Sequence, residues 1–395
     1  MTGNDYLRIW YRVQIGATLV ILAMMMIRNY EFNRQTVALA LLIMVIILGI
    51  GLVFELLPNV SLLVKKLNAW LQVITQPIIL VFAWDVMVRE IIVLLHLPSR
   101  GVVTMMIFYY FIMFAPFASV IGELMHWSIE RLIFIAWLAQ VVFTPLIALP
   151  TDLVDNHFLL LALSTGAVGA VAFFILTTTV MRTWHLSWPG LKPHWSGDFN
   201  WGIFAGLVVV DIIFMALNTG EMPRLHRANW DFTLSAFEAA VMEETLFRFA
   251  ILGILFYAWR NVKQRLPLAL ATSSILFGIV HLTNYGPQEW SMTVLQAVSA
   301  AGIGLFFATV YVYTGQLWLA MLMHFLLDWT AFIASDSTLM TGKVTVQDWI
   351  GTGIELVVFI GIAVWMMFGQ RRQVMERHVN RLTGEHQRFD FMIQY

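Results

Sequence analysis

The chain has no cysteine, which excludes a disulfide framework, a thiolate zinc site and a cysteine nucleophile together. Charge is scarce as well: Asp, Glu, Lys and Arg make up 12% of the 395 residues, where a soluble domain carries roughly 25%. The net charge of −1 gives no electrostatic reason for nucleic acid as a partner. No small-residue cleavage site follows the first apolar run, so the amino terminus is expected to be retained. No internal repeat relates the two halves, which weighs against a transporter built by duplication.

What is abundant is apolar surface. Hydrophobic residues are 60% of the chain, and mean hydropathy is +0.78. Runs of about 18 to 25 apolar residues are long enough to cross a hydrocarbon core of about 30 Å. They predict an all-α, polytopic transmembrane helical bundle of about twelve spans. These lie near 13–27, 36–57, 70–88, 102–121, 132–149, 158–181, 201–217, 232–258, 266–285, 292–313, 316–334 and 350–368. With twelve crossings, fifteen of the 23 Lys and Arg fall on the side of the termini, six on the other side and two within spans. Both termini are therefore expected in the cytoplasm, in a bacterial plasma membrane. The polar, Pro- and Trp-containing stretch RTWHLSWPGLKPHWSGDFN, Arg182 to Asn200, separates two modules. Residues 1–185 form an N-terminal membrane module of six spans, residues 200–370 a second, and residues 371–395 a cytoplasmic tail.

The first module offers little chemistry. Asp85 with Arg89, and Glu123 near His126, are read as an interfacial pair and a helix terminus. The second places ionisable groups at membrane depth, where they are costly and signal function. The eighth span holds Glu243, Glu244 and Arg248, the ninth Phe277 and His281, and the eleventh His324 and Asp328. On a helix Arg248 lies about 40° from Glu244 and about 140° from Glu243, so it should pair with Glu244. That leaves Glu243 as the carboxylate free to act as a general base. Two imidazoles, a free carboxylate and a short acid on different helices can converge on one water and one carbonyl oxygen. Asp211 and Glu238 sit in spans without a motif and are read as packing or charge-balancing groups. Gly302 and Gly304, beside Ala300 and Ala301, are read as close helix packing.

These residues make three motifs in order: E-E-x-x-x-R (Glu243, Glu244, Arg248), F-x-x-x-H (Phe277, His281) and H-x-x-x-N/D (His324, Asp328). In this the chain resembles the CPBP family, also called Abi, of CAAX proteases and bacteriocin-processing enzymes, whose eukaryotic branch is the type II CAAX prenyl endopeptidase. The resemblance covers about residues 200 to 370, including AAGIGLFFATVYVYTGQLWLAMLMHFLLDW. One departure stands out. Asp328 occupies a position where many members have Asn. An Asn donates to an oxyanion; an Asp does so only when protonated, and otherwise suits a metal or orients His324.

The resemblance implies endoproteolysis in or at the edge of the membrane, on a membrane-associated peptide or protein. Glu243 and His281 would activate water, His324 with Asp328 would stabilise the oxyanion, and Glu244 with Arg248 would hold the geometry. This reading needs no cofactor. The alternative is a zinc metalloprotease using Glu243, His281, His324 and Asp328, with water in the open position. No H-E-x-x-H decides between them. A non-catalytic scaffold or bacteriocin self-immunity protein is a further reading, and a transporter a third. The substrate must present an unwound segment, because a helical amide is shielded by its own hydrogen bonds. Access from the cytoplasm is expected from the family, and the oligomeric state stays open.

Overall fold

The computed structural model describes residues 3–57, 59–143, 151–154, 156–186, 190, 199–219, 229–340 and 342–384. Every regular element among them is helical, apart from one isolated bridge between Tyr285 and Gln288. The chain divides into two compact units, 1–184 and 185–395. Much of the linker expected between the two modules, and the tail beyond 384, lie outside the described residues, as does part of the run at 132–149.

The first unit contains α1 (Gly3–Glu31), α2 (Gln35–Leu56), α3 (Leu62–Leu95), α4 (Ser99–Met113), α5 (Ala115–Gly122), α6 (Ser128–Phe143), α7 (His157–Ser164) and α8 (Ala167–Thr183). Its few polar groups tie helices together. The Tyr11 hydroxyl donates to Gln76 Oε1 at 3.1 Å and Trp84 Nε1 to the Met106 carbonyl at 2.8 Å. The Asp85–Arg89 pair forms at 3.0 Å, and Arg89 also reaches Asp152. Glu123 pairs with Arg8 at 2.8 Å. These are the structural roles expected of such residues.

The second unit contains α9 (Trp201–Thr219), α10 (Trp230–Glu244), a π-helical segment Thr245–Ile251, α11 (Leu252–Ala258), α12 (Arg265–Val280), a short 3-10 turn His281–Asn284, α13 (Trp290–Thr314), α14 (Leu317–Ser335), α15 (Val346–Met366) and α16 (Gly369–Leu382). Local chemistry sets their ends. Asn229 caps α10 by accepting from the Phe232 amide at 2.8 Å. Gly315, at φ +65°, stops α13 in a conformation that glycine adopts freely. Thr345 and Asp348 form a reciprocal capping box at the start of α15. Successive helices then run in alternating directions. Asn200 donates from its amide to the Tyr313 hydroxyl at 3.1 Å, placing the start of α9 beside the end of α13. Trp329 Nε1 donates to Thr233 Oγ1 at 3.1 Å, placing the start of α10 beside the second half of α14. The unit therefore has a Gly315 end, with the α11–α12 turn and α16, and a His281 end, with the turn after α14.

Seven helices among the described residues are long and apolar enough to cross a membrane. They are α1, α2, α4 continued by α5, α12 with its 3-10 turn, α13, α14 and α15; an eighth forms if α7 and α8, bent by 54°, are one span. The expected count of about twelve is thus not borne out. The other expected runs are not among these seven: α3 carries Lys65, Lys66, Asp85, Arg89 and Glu90, and the run at 132–149 lies partly outside the described residues. The apolar part of α9 ends at Leu217. The helical stretch Trp230–Ala258 contains Asp231, Glu238, Glu243, Glu244 and Arg248. The protein is an integral membrane protein of all-helical class.

Candidate active site

The carboxylates of α10 sit where that helix passes into a π-helical turn, a local widening that often marks functional positions. Ser273 on α12 ties the turn down by donating to the Phe247 carbonyl at 2.9 Å. Arg248, 1% exposed, pairs through Nε with Glu244 Oε2 at 3.1 Å, as the helix spacing predicts. Its Nη2 donates to the Gly304 carbonyl at 3.5 Å, and the guanidinium lies over the Phe277 ring. A Cβ on Gly304 would stand 2.8 Å from Phe277 Cδ1, so only glycine lets α13 come this close. The other Glu244 oxygen, Oε1, lies 2.8 Å from His324 Nδ1. A carboxylate already ion-paired to arginine acts as acceptor, so Nδ1 of His324 is the donor.

His324 Nε2 points the other way, 3.3 Å from Asp328 Oδ2 and 3.7 Å from Glu243 Oε2. His324 therefore stands among three acids from two helices, Glu243 and Glu244 on α10 and Asp328 one turn further along α14. His281 is held differently. Its Nδ1 donates to the Phe277 carbonyl at 2.8 Å, which in the neutral ring leaves the Nε2 lone pair free. Phe277 explains the apolar half of its motif, since its ring contacts those of His281 at 4.8 Å and His324 at 6.1 Å, edge-on in both cases. It packs between the Arg248 guanidinium and the two imidazoles.

His281, His324 and Asp328 line one cavity of about 440 Å³, within the range of small-ligand sites. Glu243 lies within electrostatic reach of both histidines and of Asp328. All six candidate side chains thus belong to one assembly. Among the described residues no group of three or more His, Asp or Glu side chains is placed to hold a metal ion.

Three acids near the assembly escaped the motif reading. Glu238 lies within electrostatic reach of Glu243, Asp328 and His324. Asp211, 3% exposed with Oδ1 lacking a hydrogen-bond partner, lies within reach of His324. Glu355 of α15 accepts from the hydroxyl of Ser299, a cavity-lining residue, at 3.3 Å. The available signal was depth: each is an acid inside an apolar helix, and depth alone names no partner.

Comparison with known proteins bears on the segment that carries the first three of the four helices of this assembly and most of the last. Residues 226–330 match the family model described as type II CAAX prenyl endopeptidase Rce1-like. No curated protein and no solved structure matches the chain. The matched residues include Glu243, Glu244, Arg248, His281, His324 and Asp328, and residues 226–330 thus match an Rce1-like domain, consistent with a CAAX protease family.

Proposed function

We propose that this protein is an intramembrane endopeptidase acting on a membrane-associated peptide or protein by a metal-free, glutamate-dependent mechanism. The observation that carries it is the placement of His324, bound through Nδ1 to Glu244 and turned through Nε2 to Asp328 and Glu243, in the cavity that His281 shares. The Rce1-like match supports a CAAX-type protease as the class.

Water held between Glu243 and the free Nε2 of His281 loses a proton to one of them as its oxygen attacks the scissile carbonyl. The tetrahedral oxyanion then accepts a hydrogen bond from Nε2–H of His324, where one such donor is worth about 3 kcal/mol. Asp328 shares that proton with His324 in the resting site and orients the ring. Collapse breaks the C–N bond, and the proton taken from water passes to the leaving amine. Arg248 and Glu244 touch neither water nor substrate; they fix the Nδ1 side of His324.

Residues 200–370 make up the protease domain in this reading, residues 1–185 a membrane module of separate role, and residues 371–395 a cytoplasmic tail. The membrane is a bacterial plasma membrane with both termini in the cytoplasm. The test is cleavage of a hydrophobic peptide library by purified protein in detergent. Glu243→Gln should lower the rate about 100-fold or more, with wild type indifferent to a chelator. Loss on chelation with recovery in zinc would replace this mechanism by a metalloprotease using the same residues. A Glu243→Gln protein that keeps the cellular phenotype would favour the scaffold or self-immunity reading.

A further inference from the structure

The cavity that holds the two histidines opens at one end of the second unit. Beyond the reacting groups its walls are Gln296 and Ser299 on the first half of α13, and Ala331, Ser335, Thr338 and Met340 on and just after the last turns of α14. All of these lie toward the His281 end. Leu339 and Met340 at the rim are 41% and 42% exposed, so the mouth reaches the surface. Among the described residues, none from the α11–α12 turn, the Gly315 turn or α16 lines it.

The basic residues of the unit gather at the opposite end. Arg260, Lys263 and Arg265 border the α11–α12 turn, and Arg371, Arg372, Arg377 and Arg381 lie on α16. At the His281 end the described residues carry Lys343 as their one Lys or Arg. Lys and Arg in short loops mark the cytoplasmic side, which puts the Gly315 end in the cytoplasm. Exposed aromatics mark both ends as two membrane–water interfaces, Trp230, Tyr285, Trp290 and Trp349 at the His281 end and Trp201, Trp318 and Trp365 at the Gly315 end.

We infer that the active-site cavity opens on the extracytoplasmic face of the membrane and takes an extended, apolar peptide segment presented from that side. Phe214, Ile303, Leu327 and Phe332 supply apolar walls, and Ser335 and Thr338 place hydroxyls at the mouth. That lining suits the side chains and the exposed amides of an unwound segment of an exported or inserted protein. The peptide identity of the ligand rests on the endopeptidase reading; the direction of the opening does not. The direction is opposite to the cytoplasmic access that the family resemblance suggests.

A chain free of cysteine makes the test direct. Single-cysteine variants of the full-length protein, Thr338→Cys at the mouth, Ser299→Cys inside the cavity and Lys263→Cys at the other end, are treated in spheroplasts with a membrane-impermeant maleimide. Labelling of each in detergent establishes that the thiol is reactive in folded protein. Thr338→Cys should label at least about tenfold faster than Lys263→Cys in intact spheroplasts, with the difference lost on permeabilisation. A hydrophobic peptide added outside should slow labelling of Ser299→Cys. The reverse order for Thr338 and Lys263, or a Thr338 thiol silent until the membrane is opened, would overturn the inference. Repeating the labelling in a Glu243→Gln background separates the two readings, since orientation survives there whether or not wild type cleaves peptides.

Discussion

The guanidinium of Arg248 rests on the ring of Phe277, its central carbon 4.2 Å from the ring centroid. The contact joins the first two motifs into one object, because the same arginine pairs with Glu244 and the same phenylalanine presents His281. A planar cation can stack on an aromatic face and pair with a carboxylate at the same time, which an ammonium on a flexible stem does poorly.

Arg248→Lys should therefore fail as a conservative change. The side chains of Arg248 and Glu244 are 1% and 0% exposed, and leaving one partner of such a pair uncompensated costs about 3–5 kcal/mol. Thermal unfolding in detergent should show a marked loss of stability for Arg248→Ala and a smaller one for Arg248→Lys. Peptide cleavage should fall in both. Full activity in Arg248→Lys would show that charge alone suffices.

Gly304→Ala is expected to disturb the site through packing. The added Cβ would meet Phe277 Cδ1 at 2.8 Å, and overpacking of this kind costs about 1–3 kcal/mol. Gly353→Ala on α15 is the control, since nothing lies within 4 Å of its added carbon. A melting temperature that drops for Gly304→Ala and holds for Gly353→Ala is the predicted outcome, read by thermal unfolding of the purified variants.

Asp328→Asn tests how this chain's departure from the common motif is used. The amide keeps an oxygen near His324 Nε2 and adds an N–H donor for the oxyanion. Activity should remain within about tenfold of wild type, whereas Asp328→Leu, which can neither accept nor donate, should lose about 100-fold. The measurement is kcat and KM on one cleaved peptide, with the loss expected in kcat. Equal losses in the two variants would mean that the negative charge itself is required.

At the opposite end, α16 closes the carbonyl end of α13. His378 Nδ1 donates to the Val312 carbonyl at 2.9 Å, and Arg381 Nη2 donates to the Gly315 carbonyl at 3.0 Å. A cation at a helix carboxyl end, with one part-buried hydrogen bond, contributes about 1 kcal/mol. Arg381→Ala should lower the melting temperature while leaving KM unchanged, because its contacts lie away from the cavity. A KM shift in peptide cleavage would show instead that the α13–α14 turn transmits its position to His324.

Much of this protein was legible before any coordinates. Helical class follows from apolar runs that no soluble fold could bury, and the Glu244–Arg248 pair follows from the rise and twist of one helix. Both are local properties, fixed by residues a few positions apart. The six candidate residues stood out for a related reason: an ionised group in an apolar helix is expensive, so each declares itself without its partners being known. The count of about twelve spans is not confirmed by the helices described, and hydropathy alone gave no sign that the charges of α3 pair within the first unit. Nor were the contacts between helices. That His324 meets Glu244 across 80 residues of sequence, that Gly304 admits Phe277, and that Glu238 and Asp211 gather near one imidazole all depend on which faces pack together. The side on which the cavity opens depends on that packing as well, since composition can say which end of a helix is basic but not which end of the bundle is hollow.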